Sequence, residues 1–482
     1  MATKTEKITD AKTLKETLFA KRPHAGKVLS DAQWKEAYDY CEGYKSFLTT
    51  AKTEREATAY AVGLAKKAGF TEFKSGKKYK SGEKVYLDNR GKSVILAVIG
   101  KKSLAEGTRI AAAHIDSPRL DLKPHPLYED NELALFKTHY YGGIKKYQWT
   151  ALPLALHGVI IKKDGKKINV TIGEAEDEPK FCITDLLPHL GAEQGKRLLS
   201  EGIKGEELNV VIGSRPFSQG EESELVKLNI LSLFYEKYGI TEEDFWGAEL
   251  ELVPALPVSD IGLDRALIGG YGQDDRVCAY PALSALFQLK GTPARTAIVV
   301  LADKEETGSE GNTGIQGAYL QHFIEALCEG ETEDARKAGG RGVPARDCLD
   351  KSECLSVDVE VAFDPTWASV HEKQNSAYLN KGVAIKKYGG SRGKSGTNDA
   401  GAELTSRTLS TFRKAGILYQ MGEMGKVDEG GGGTVAKFIA KLGPDVIDVG
   451  VPLLSMHSPY ELAAKADIWG MHKAIGAFFV AE

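Results

Sequence analysis

The chain of 482 residues contains only six cysteines, and none of them is spaced for metal or redox chemistry. No Cys-x-x-Cys element occurs. The cysteines lie at Cys41, Cys182, Cys278, Cys328, Cys348 and Cys354. A thiolate zinc site and a disulfide framework both need paired spacing, so neither is favoured. We expect six reduced thiols in a cytoplasmic protein.

Long apolar runs and blocks of basic residues are lacking as well. The longest apolar runs fall well short of the roughly 20 residues that span a bilayer. Residues 1–7 are polar and mixed in charge, unlike the start of a signal peptide. The formal net charge is -4, and no Lys/Arg cluster predicts an anionic partner. We therefore expect no nucleic acid and no membrane among the partners.

Strand and helix patterns alternate on both sides of a central stretch with a different character, and the length suits two or three domains. Between about residues 126 and 257, helical periodicity is sparse and short alternating strands dominate. Asp164-Gly165, within this stretch, is a hairpin turn signal. The pattern predicts an α/β domain formed by residues 1–125 and 258–482, interrupted by a β-rich insert at residues 126–257.

Helices are predicted where apolar residues recur at helical spacing after a capping residue. One begins at Ser30 or Asp31, and a second runs from about Thr53 to Ala68. A closing helix is predicted from about residue 459 to residue 479, with Ser458 as its cap. Another is predicted over about residues 312–328, followed by a charged, glycine-rich surface segment that reaches residue 347.

Two adjacent glutamates, Glu305 and Glu306, follow a short apolar run at residues 296–302 that predicts a buried strand. Where a strand passes into a loop, neighbouring carboxylates can be brought toward the same cavity at the end of the strand. One of them would then bind a metal ion while the other moves protons for a bound water, and either order is allowed. The alternative for this pair alone is a solvated acidic loop.

Imidazoles and carboxylates stand at four further predicted strand ends of the α/β halves. Strand ends of open α/β sheets face a shared crevice, where distant residues can meet. Together with one glutamate they suit two divalent ions, of which zinc is the first choice and cobalt or manganese are tolerated. The five predicted ligands are His114, Asp274, Glu306, Asp358 and His457. Each of them alone has an ordinary structural alternative.

Asp116 follows His114 by two positions on a predicted strand, so the two side chains share a face. Its carboxylate would accept the second imidazole N–H and fix the tautomer of a metal-binding histidine.

From Ala112 to the C-terminus, the sequence resembles the M18 metallo-aminopeptidases, the aspartyl aminopeptidase family, and in particular its bacterial branch. Seven ordered blocks carry the resemblance: Ala113-His114-Ile-Asp116-Ser-Pro-Arg-Leu, Tyr141-Gly142-Gly143, Leu187-Pro188-His189-Leu190, Asp274-Asp275-Arg276, Glu305-Glu306-Thr-Gly308-Ser309, Ser356-Val-Asp358 and Met456-His457-Ser458. The resemblance implies an α/β fold with a mixed-sheet zinc-peptidase core, phosphorylase/hydrolase-like, and an inserted β-rich dimerisation domain.

The resemblance also implies a role for each residue of the site. His114 and Asp358 would hold one metal ion, Glu306 and His457 the other, and Asp274 would bridge them. Glu305 falls at the general-base position, where it would take a proton from a metal-bridging water that attacks the peptide carbonyl. The implied activity is removal of N-terminal amino acids from short peptides.

Two departures from many relatives affect the expected specificity. Val361 and Thr366 stand where a histidine and an asparagine are found, and Asp275-Arg276 replaces the Asn-Leu of eukaryotic members. Neither change removes a ligand. The preferred N-terminal residue of the substrate therefore stays open between acidic, basic and neutral.

Substrate-binding and assembly residues are expected in three further places. Residues 386–394 read as a flexible basic loop that would pair with an acidic substrate side chain, and residues 427–434 resemble the family's glycine-rich substrate wall. The resemblance further implies that a histidine at residue 189 reaches the active site of an adjoining subunit, in dimers that assemble into a tetrahedral dodecamer. The residues concerned are His189, Lys386, Arg392, Lys394, Gly432 and Gly433. A solvated loop, a tight turn and an ordinary surface histidine are the respective alternatives.

Two other functions share the same residues. An M20-type deacylase or carboxypeptidase would use the same metal cage on N-acyl amino acids. A non-catalytic, shell-forming scaffold would keep the fold without turnover.

Overall fold

The computed structural model describes residues 10–220, 222–337 and 342–481, with no side-chain description for residues 333–337. The polar N-terminal residues 1–7 and residues 338–341 of the glycine-rich segment lie outside this part. The helices are α1 (Ala11–Leu18), α2 (Ala25–Val28), α3 (Asp31–Thr50), α4 (Glu54–Lys67), α5 (Leu225–Tyr238), α6 (Gln273–Phe287), α7 (Tyr319–Lys337), α8 (Ala345–Asp350), α9 (Ala402–Lys414), α10 (Ala436–Ala440) and α11 (Lys465–Val480).

The strands form three sheets. They are β1 (Thr71–Glu72), β2 (Lys84–Asn89), β3 (Ser93–Val98), β4 (Arg109–His114), β5 (Arg119–Asp130), β6 (Leu133–Tyr141), β7 (Leu154–Ile161), β8 (Lys167–Ile172), β9 (Cys182–Ile183), β10 (Val210–Gly213), β11 (Glu249–Pro254), β12 (Ser259–Ile261), β13 (Leu267–Gly270), β14 (Ala297–Ala302), β15 (Glu353–Val357), β16 (Glu360–Val361), β17 (Val383–Lys386), β18 (Tyr419–Met421), β19 (Asp445–Gly450), β20 (Pro452–Leu454) and β21 (Glu461–Ala464). None of the described helices is long and apolar enough to cross a bilayer.

A nine-stranded mixed sheet has the order β1-β2-β3-β14-β4-β15-β19-β17-β18. Its four central strands, β14, β4, β15 and β19, run parallel. These strands are buried along almost their whole length, because helices cover both faces of the sheet. Apolar side chains of α3, α4, α6, α9 and α11 pack on one face, and those of α7, α8 and the α10 segment pack on the other. The carboxyl ends of β14, β4 and β15 therefore meet at one edge.

A second sheet, of seven strands in the order β8-β7-β11-β5-β6-β10-β9, lies within residues 119–254 and has its own apolar core. The hairpin predicted at Asp164-Gly165 is confirmed, because β7 pairs with β8 across this turn and Gly165 has φ of 81°. The 14-residue helix α5 was not predicted. It is apolar around most of its circumference, which hides the helical period. The boundary predicted at residue 126 falls inside β5.

A third sheet has the order β12-β13-β21-β20-β16. It contributes two connections to the edge where β4, β14 and β15 end: the one from β13 into α6 and the one between β20 and β21. The described residues thus form a mixed α/β fold with three sheets, two of which share one crevice.

The predicted N-terminal helices are confirmed. α3 starts after Ser30, whose hydroxyl accepts from the Gln33 N–H while the Gln33 side chain accepts from the Ser30 N–H. Thr53 and Glu56 form the same reciprocal cap at the start of α4. Such caps satisfy backbone N–H groups that would otherwise have no partner.

Two helix boundaries are corrected. The closing helix begins at Lys465 rather than near residue 459, because Glu461–Ala464 pair as β21 with β13 and β20. α7 begins at Tyr319 rather than near residue 312, and it continues to Lys337 through part of the predicted surface segment. α8 then occupies the end of that segment.

A buried histidine connects the seven-stranded sheet with α4. His157 of β7 has Nδ1 2.7 Å from Glu56 Oε1 and Nε2 2.8 Å from Glu174 Oε1. Lys52 Nζ lies 2.8 Å from the same oxygen of Glu174. Burial disfavours the charged ring, but the hydrogen bonds to the two carboxylates outweigh it and raise the pKa of His157 to about 9. Both ring nitrogens therefore donate, and the ring is an imidazolium at neutral pH.

This ion pair predicts a pH-dependent stability. A pKa raised from 6.5 to about 9 contributes stability that is complete below pH 6.5 and is lost as the pH rises through about 9. We expect His157→Gln to be destabilised by up to about 3 kcal/mol at pH 6, and the gap to the unchanged protein should narrow by pH 10. Thermal unfolding of both proteins between these two pH values measures the difference in stability. His125→Gln, an exposed histidine on β5, is the control, and a gap that stays constant with pH would contradict the assignment.

Candidate active site

The five predicted ligands come together in the shared crevice. His114 ends β4, Glu306 follows β14 and Asp358 follows β15, all at one edge of the nine-stranded sheet. Asp274 and His457 come from the connections of the five-stranded sheet. The prediction placed all five at strand ends of one crevice, and the structure builds that crevice from two sheets.

Asp274 lies at the centre of the group. Its Oδ1 is 3.1 Å from His114 Nε2, and its Oδ2 is 3.2 Å from His457 Nε2. Asp358 Oδ1 is 3.8 Å from His114 Nε2, and Glu306 Oε2 is 3.5 Å from His457 Nε2. The two oxygens of Asp274 thus face two separate histidine–carboxylate pairs. A carboxylate with this geometry can bridge two cations.

Both histidines are held so that Nε2 faces the carboxylates. His114 Nδ1 lies 3.0 Å from the carbonyl oxygen and 3.3 Å from Oδ1 of Asp116. His457 Nδ1 lies 2.8 Å from the carbonyl oxygen of Gly143. In each ring Nδ1 therefore carries a proton, and a neutral ring presents the Nε2 lone pair to the site. This is the tautomer that a metal ion requires.

The donor set fits divalent cations. Among the described residues, two groups of three side chains could hold a metal ion: His114, Asp274 and Glu306, and His114, Asp275 and Asp358. Asp274 Oδ1 and Glu306 Oε1 are buried and make no hydrogen bond within this part of the chain. Burial and the charge of Asp274 raise the pKa of Glu306. Imidazole nitrogens and carboxylate oxygens that converge in this way are stabilised by positive charge.

Asp275 was not predicted as part of this group. Its Oδ2 accepts a hydrogen bond from the His114 N–H at 3.3 Å, and its Oδ1 has no partner in the described structure. The peptide bond between Asp274 and Asp275 is cis. The sequence signal was its place beside the predicted bridging aspartate.

The two neighbouring glutamates point to different places. Glu305–Thr307 form a single 3-10 turn, preceded by Lys304 with φ of 70°. Successive side chains of such a turn diverge, and this brings Glu305 onto the wall of the open cavity while Glu306 turns toward Asp274 and His457. Burial, reinforced by the carboxylate of Asp358, raises the pKa of Glu305 to about 8.

Asp116 ties these elements together. Its Oδ1 accepts the Glu305 N–H and its Oδ2 accepts the Glu306 N–H, both at 3.1 Å. The Tyr141 hydroxyl donates to Oδ2 at 2.8 Å. One buried carboxylate thus positions His114 and the backbone of both glutamates. Tyr141 was not predicted for this contact, although it stands in one of the seven sequence blocks.

Gly142 is needed where the seven-stranded sheet meets the site. It has φ of 73°, and a Cβ there would lie 3.2 Å from Glu306 Cβ and 3.3 Å from Glu306 Oε2. Any side chain would strain the backbone and press on a predicted ligand.

A cavity of about 710 Å³ opens in front of the group. Its wall includes Glu305, Gly432 and Gly433 as predicted, together with apolar side chains such as Val361 and Trp367. A pocket of this size accommodates a short peptide segment.

The predicted basic loop is corrected in part. Lys386 is the last residue of β17 and is buried, with Nζ 2.9 Å from the Val359 carbonyl oxygen and 3.8 Å from Glu360 Oε2. It lines the cavity. Arg392 and Lys394 line a smaller neighbouring pocket instead, where Lys394 Nζ lies 2.9 Å from Asp399 Oδ2.

His189 is not brought to the site within this chain. It is exposed on a turn and does not line the cavity. Thr366, which replaces the asparagine of many relatives, is also exposed and does not line the cavity.

Comparisons with known proteins agree with this geometry. The family model "Aminopeptidase I zinc metalloprotease (M18)" matches residues 47–479. A curated relative from Clostridium acetobutylicum, named probable M18 family aminopeptidase 1, is 48% identical over 455 residues, which cover 93% of this chain and 96% of the relative.

Solved structures are similar over almost the whole chain. The crystal structure of an M18 aminopeptidase from Thermotoga maritima has a TM-score of 0.90 at 41% identity and covers 96% of this chain and 100% of that one. Aminopeptidase I from Clostridium acetobutylicum has a TM-score of 0.87 at 44% identity with the same coverage. These matches favour the aminopeptidase reading over the M20-type deacylase and the non-catalytic scaffold. The chain belongs to the M18 family of zinc metalloproteases and is an aminopeptidase, a hydrolase of peptide bonds.

Proposed function

We propose that this aminopeptidase works with two divalent cations, most simply Zn²⁺, with Co²⁺ or Mn²⁺ as alternatives. His114 and Asp358 would hold one ion, Glu306 and His457 the other, and Asp274 would lie between them. The supporting observation is the convergence of two Nε2 atoms on Asp274, whose two oxygens face one histidine each. When bound, the cations would polarise the scissile carbonyl and acidify the attacking water.

Glu305 is proposed as the general base. Glu305 lines the cavity, whereas Glu306 faces His457. The Glu305 carboxylate is therefore free to accept a proton from water and pass it to the departing amine. Positive charge bound beside Glu305 would lower its pKa from about 8, because an opposite charge favours the carboxylate. Glu305 would then be in its basic form at neutral pH. Asp116 would support both steps by fixing His114 and the two glutamate N–H groups.

The substrate is proposed to be a short peptide with a free N-terminus. The carboxylates at the base of the cavity would receive its ammonium group, and the glycine-rich wall at Gly432 and Gly433 leaves room for the chain. The basic groups proposed for substrate side chains differ in availability. Lys386 is already paired with Glu360, and Arg392 and Lys394 sit on the neighbouring pocket.

A panel of aminoacyl-anilides with Asp, Glu, Leu, Lys and Arg, run with each metal after dialysis, tests the activity. We expect hydrolysis that is lost on dialysis against a chelator and restored by Zn²⁺, Co²⁺ or Mn²⁺. N-acyl amino acids are the matched controls. Hydrolysis confined to them would contradict the proposal and support an M20-type activity.

We also propose that the chain acts as a homo-oligomer, with the phosphorylase/hydrolase-like α/β core as the catalytic domain and the β-rich insert at residues 126–257 as a dimerisation domain. His189 would act in a neighbouring subunit. Five leucines around it are half or more exposed, which is typical of an interaction surface. They are Leu186, Leu187, Leu190, Leu198 and Leu199. We propose that the dimers assemble further into a tetrahedral dodecamer. The structure of S. cerevisiae mApe1, which has a TM-score of 0.73 at 19% identity, is described as a dodecamer.

A further inference from the structure

Glu461 is a buried carboxylate that sequence reasoning did not single out. It begins β21 and is 1% exposed. Its Oε1 accepts the His457 N–H at 2.8 Å, and its Oε2 accepts the Asp274 N–H at 3.2 Å. Within the described residues no Lys or Arg forms an ion pair with it. Its two oxygens therefore link the two connections of the five-stranded sheet that supply ligands to the site.

The backbone at His457 needs such support. His457 has φ of 64°, a left-handed conformation that a residue with a side chain adopts only when its surroundings impose it. The hydrogen bond from the His457 N–H to Glu461 holds the backbone in this conformation. The hydrogen bond from Nδ1 to the Gly143 carbonyl oxygen then fixes the orientation of the ring. Without the first bond, the backbone would relax and carry Nε2 away from Asp274.

We propose that Glu461 is a positioning residue for the metal centre. It does not line the cavity, so it would touch neither the substrate nor the reacting atoms. It acts through His457 and Asp274, by holding their backbones so that the His457 ring and the Asp274 carboxylate meet. In this it is the counterpart of Asp116, which binds the N–H groups of Glu305 and Glu306 on the other sheet. The proposal rests on the two-cation function proposed above.

The test measures metal affinity rather than turnover. Metal-free protein is titrated with Zn²⁺ in competition with a chromophoric chelator, and the stoichiometry and affinity are read directly. We expect the unchanged protein to bind two ions. Glu461→Gln keeps the shape but loses one acceptor, so it should bind at least one of the two ions about 10- to 100-fold more weakly. In the metal-free form, the melting temperature of Glu461→Gln should fall by no more than that of the control variant Asp467→Asn.

Asp467 provides a matched control. It is also fully buried, and its carboxylate accepts two backbone N–H groups, from Asn380 at 2.6 Å and from Gly382 at 2.8 Å. It has no contact with the predicted ligands among its hydrogen bonds. Asp467→Asn should therefore disturb local packing in the same way while leaving both zinc affinities unchanged. An equal loss of affinity in Asp467→Asn would overturn the proposal, because the effect would then be general.

Glu461→Asp separates geometry from charge. It keeps the carboxylate but is one methylene too short to reach both N–H groups, so weakened binding is again expected. Wild-type affinity in this variant would show that Glu461 acts only through its charge, which overturns a positioning role. Zinc affinities of Glu461→Gln within threefold of the unchanged protein, or failure of that variant alone to fold without metal, would overturn it too. Fewer than two ions bound by the unchanged protein would count against the proposed function itself.

Discussion

Replacing Glu305 with Gln is expected to lower kcat by about 10³- to 10⁴-fold, the upper range for loss of a general base, while both cations stay bound. The amide has the same shape but cannot accept a proton from water. The predicted ligands are left intact because Glu305 lies on the cavity wall and Glu306 faces His457. Steady-state kinetics and metal analysis of the same preparation measure the two effects.

Glu310→Gln is the control for this variant. Glu310 is exposed, belongs to the same acidic stretch and lies outside the cavity wall, so its kcat should match that of the unchanged protein. The general-base assignment fails if Glu305→Gln retains turnover. A variant that loses a metal ion would instead identify Glu305 as a ligand.

His189→Ala is expected to lower activity by about 100-fold even though the residue lies outside its own chain's cavity. If His189 acts in a neighbouring subunit, each metal site of the variant is intact but lacks the imidazole that the adjoining subunit would supply. Co-expression with Glu305→Gln subunits should then restore activity, because a mixed dimer contains one site with both groups. With random pairing in a two-fold dimer, about a quarter of all sites are complete.

The mixing experiment has a built-in control. Each variant expressed alone should be nearly inactive. When the two variants are purified separately and then combined, activity should not recover if subunits do not exchange between oligomers. Absence of recovery in co-expressed, co-purified oligomers would contradict a role in the adjoining subunit. Full activity of His189→Ala alone would show that the histidine is an ordinary surface residue.

The convergence of the predicted ligands could be anticipated because each stands at the end of a buried strand or in a short motif. β4, β14 and β15 are such runs, and their parallel alignment brings His114, Glu306 and Asp358 to one edge. The arrival of Asp274 and His457 from a different sheet could not be predicted, since it depends on the pairing of β13 with β21.

Local sequence predicted the wrong secondary structure where tertiary contacts determine the backbone conformation. Glu461-Leu-Ala-Ala consists of good helix formers, so the closing helix was predicted to start too early, but pairing with β13 makes it a strand. The same pairing buries Glu461 beside His457, and nothing in a single glutamate reveals this role. α5 was missed because its apolar residues surround the helix instead of following one face.

The side-chain directions of Glu305 and Glu306 also required the structure. An extended backbone would send neighbouring side chains to opposite faces, so the strand-end pattern left either order open, and only the family resemblance assigned Glu306 to a metal ion and Glu305 to the proton. The 3-10 turn at Glu305–Thr307 resolves the directions: Glu305 faces the cavity and Glu306 the Asp274–His457 pair.

Anomalous diffraction at the zinc edge, from crystals of the zinc-loaded protein, tests the two-cation account most directly. We expect two peaks, one bonded to His114 and Asp358 and the other to Glu306 and His457, with Asp274 bonded to both at about 2.0–2.2 Å. Glu305 should lie beyond bonding distance of either peak. A single peak, or an ion bonded to Glu305 in place of Glu306, would contradict it.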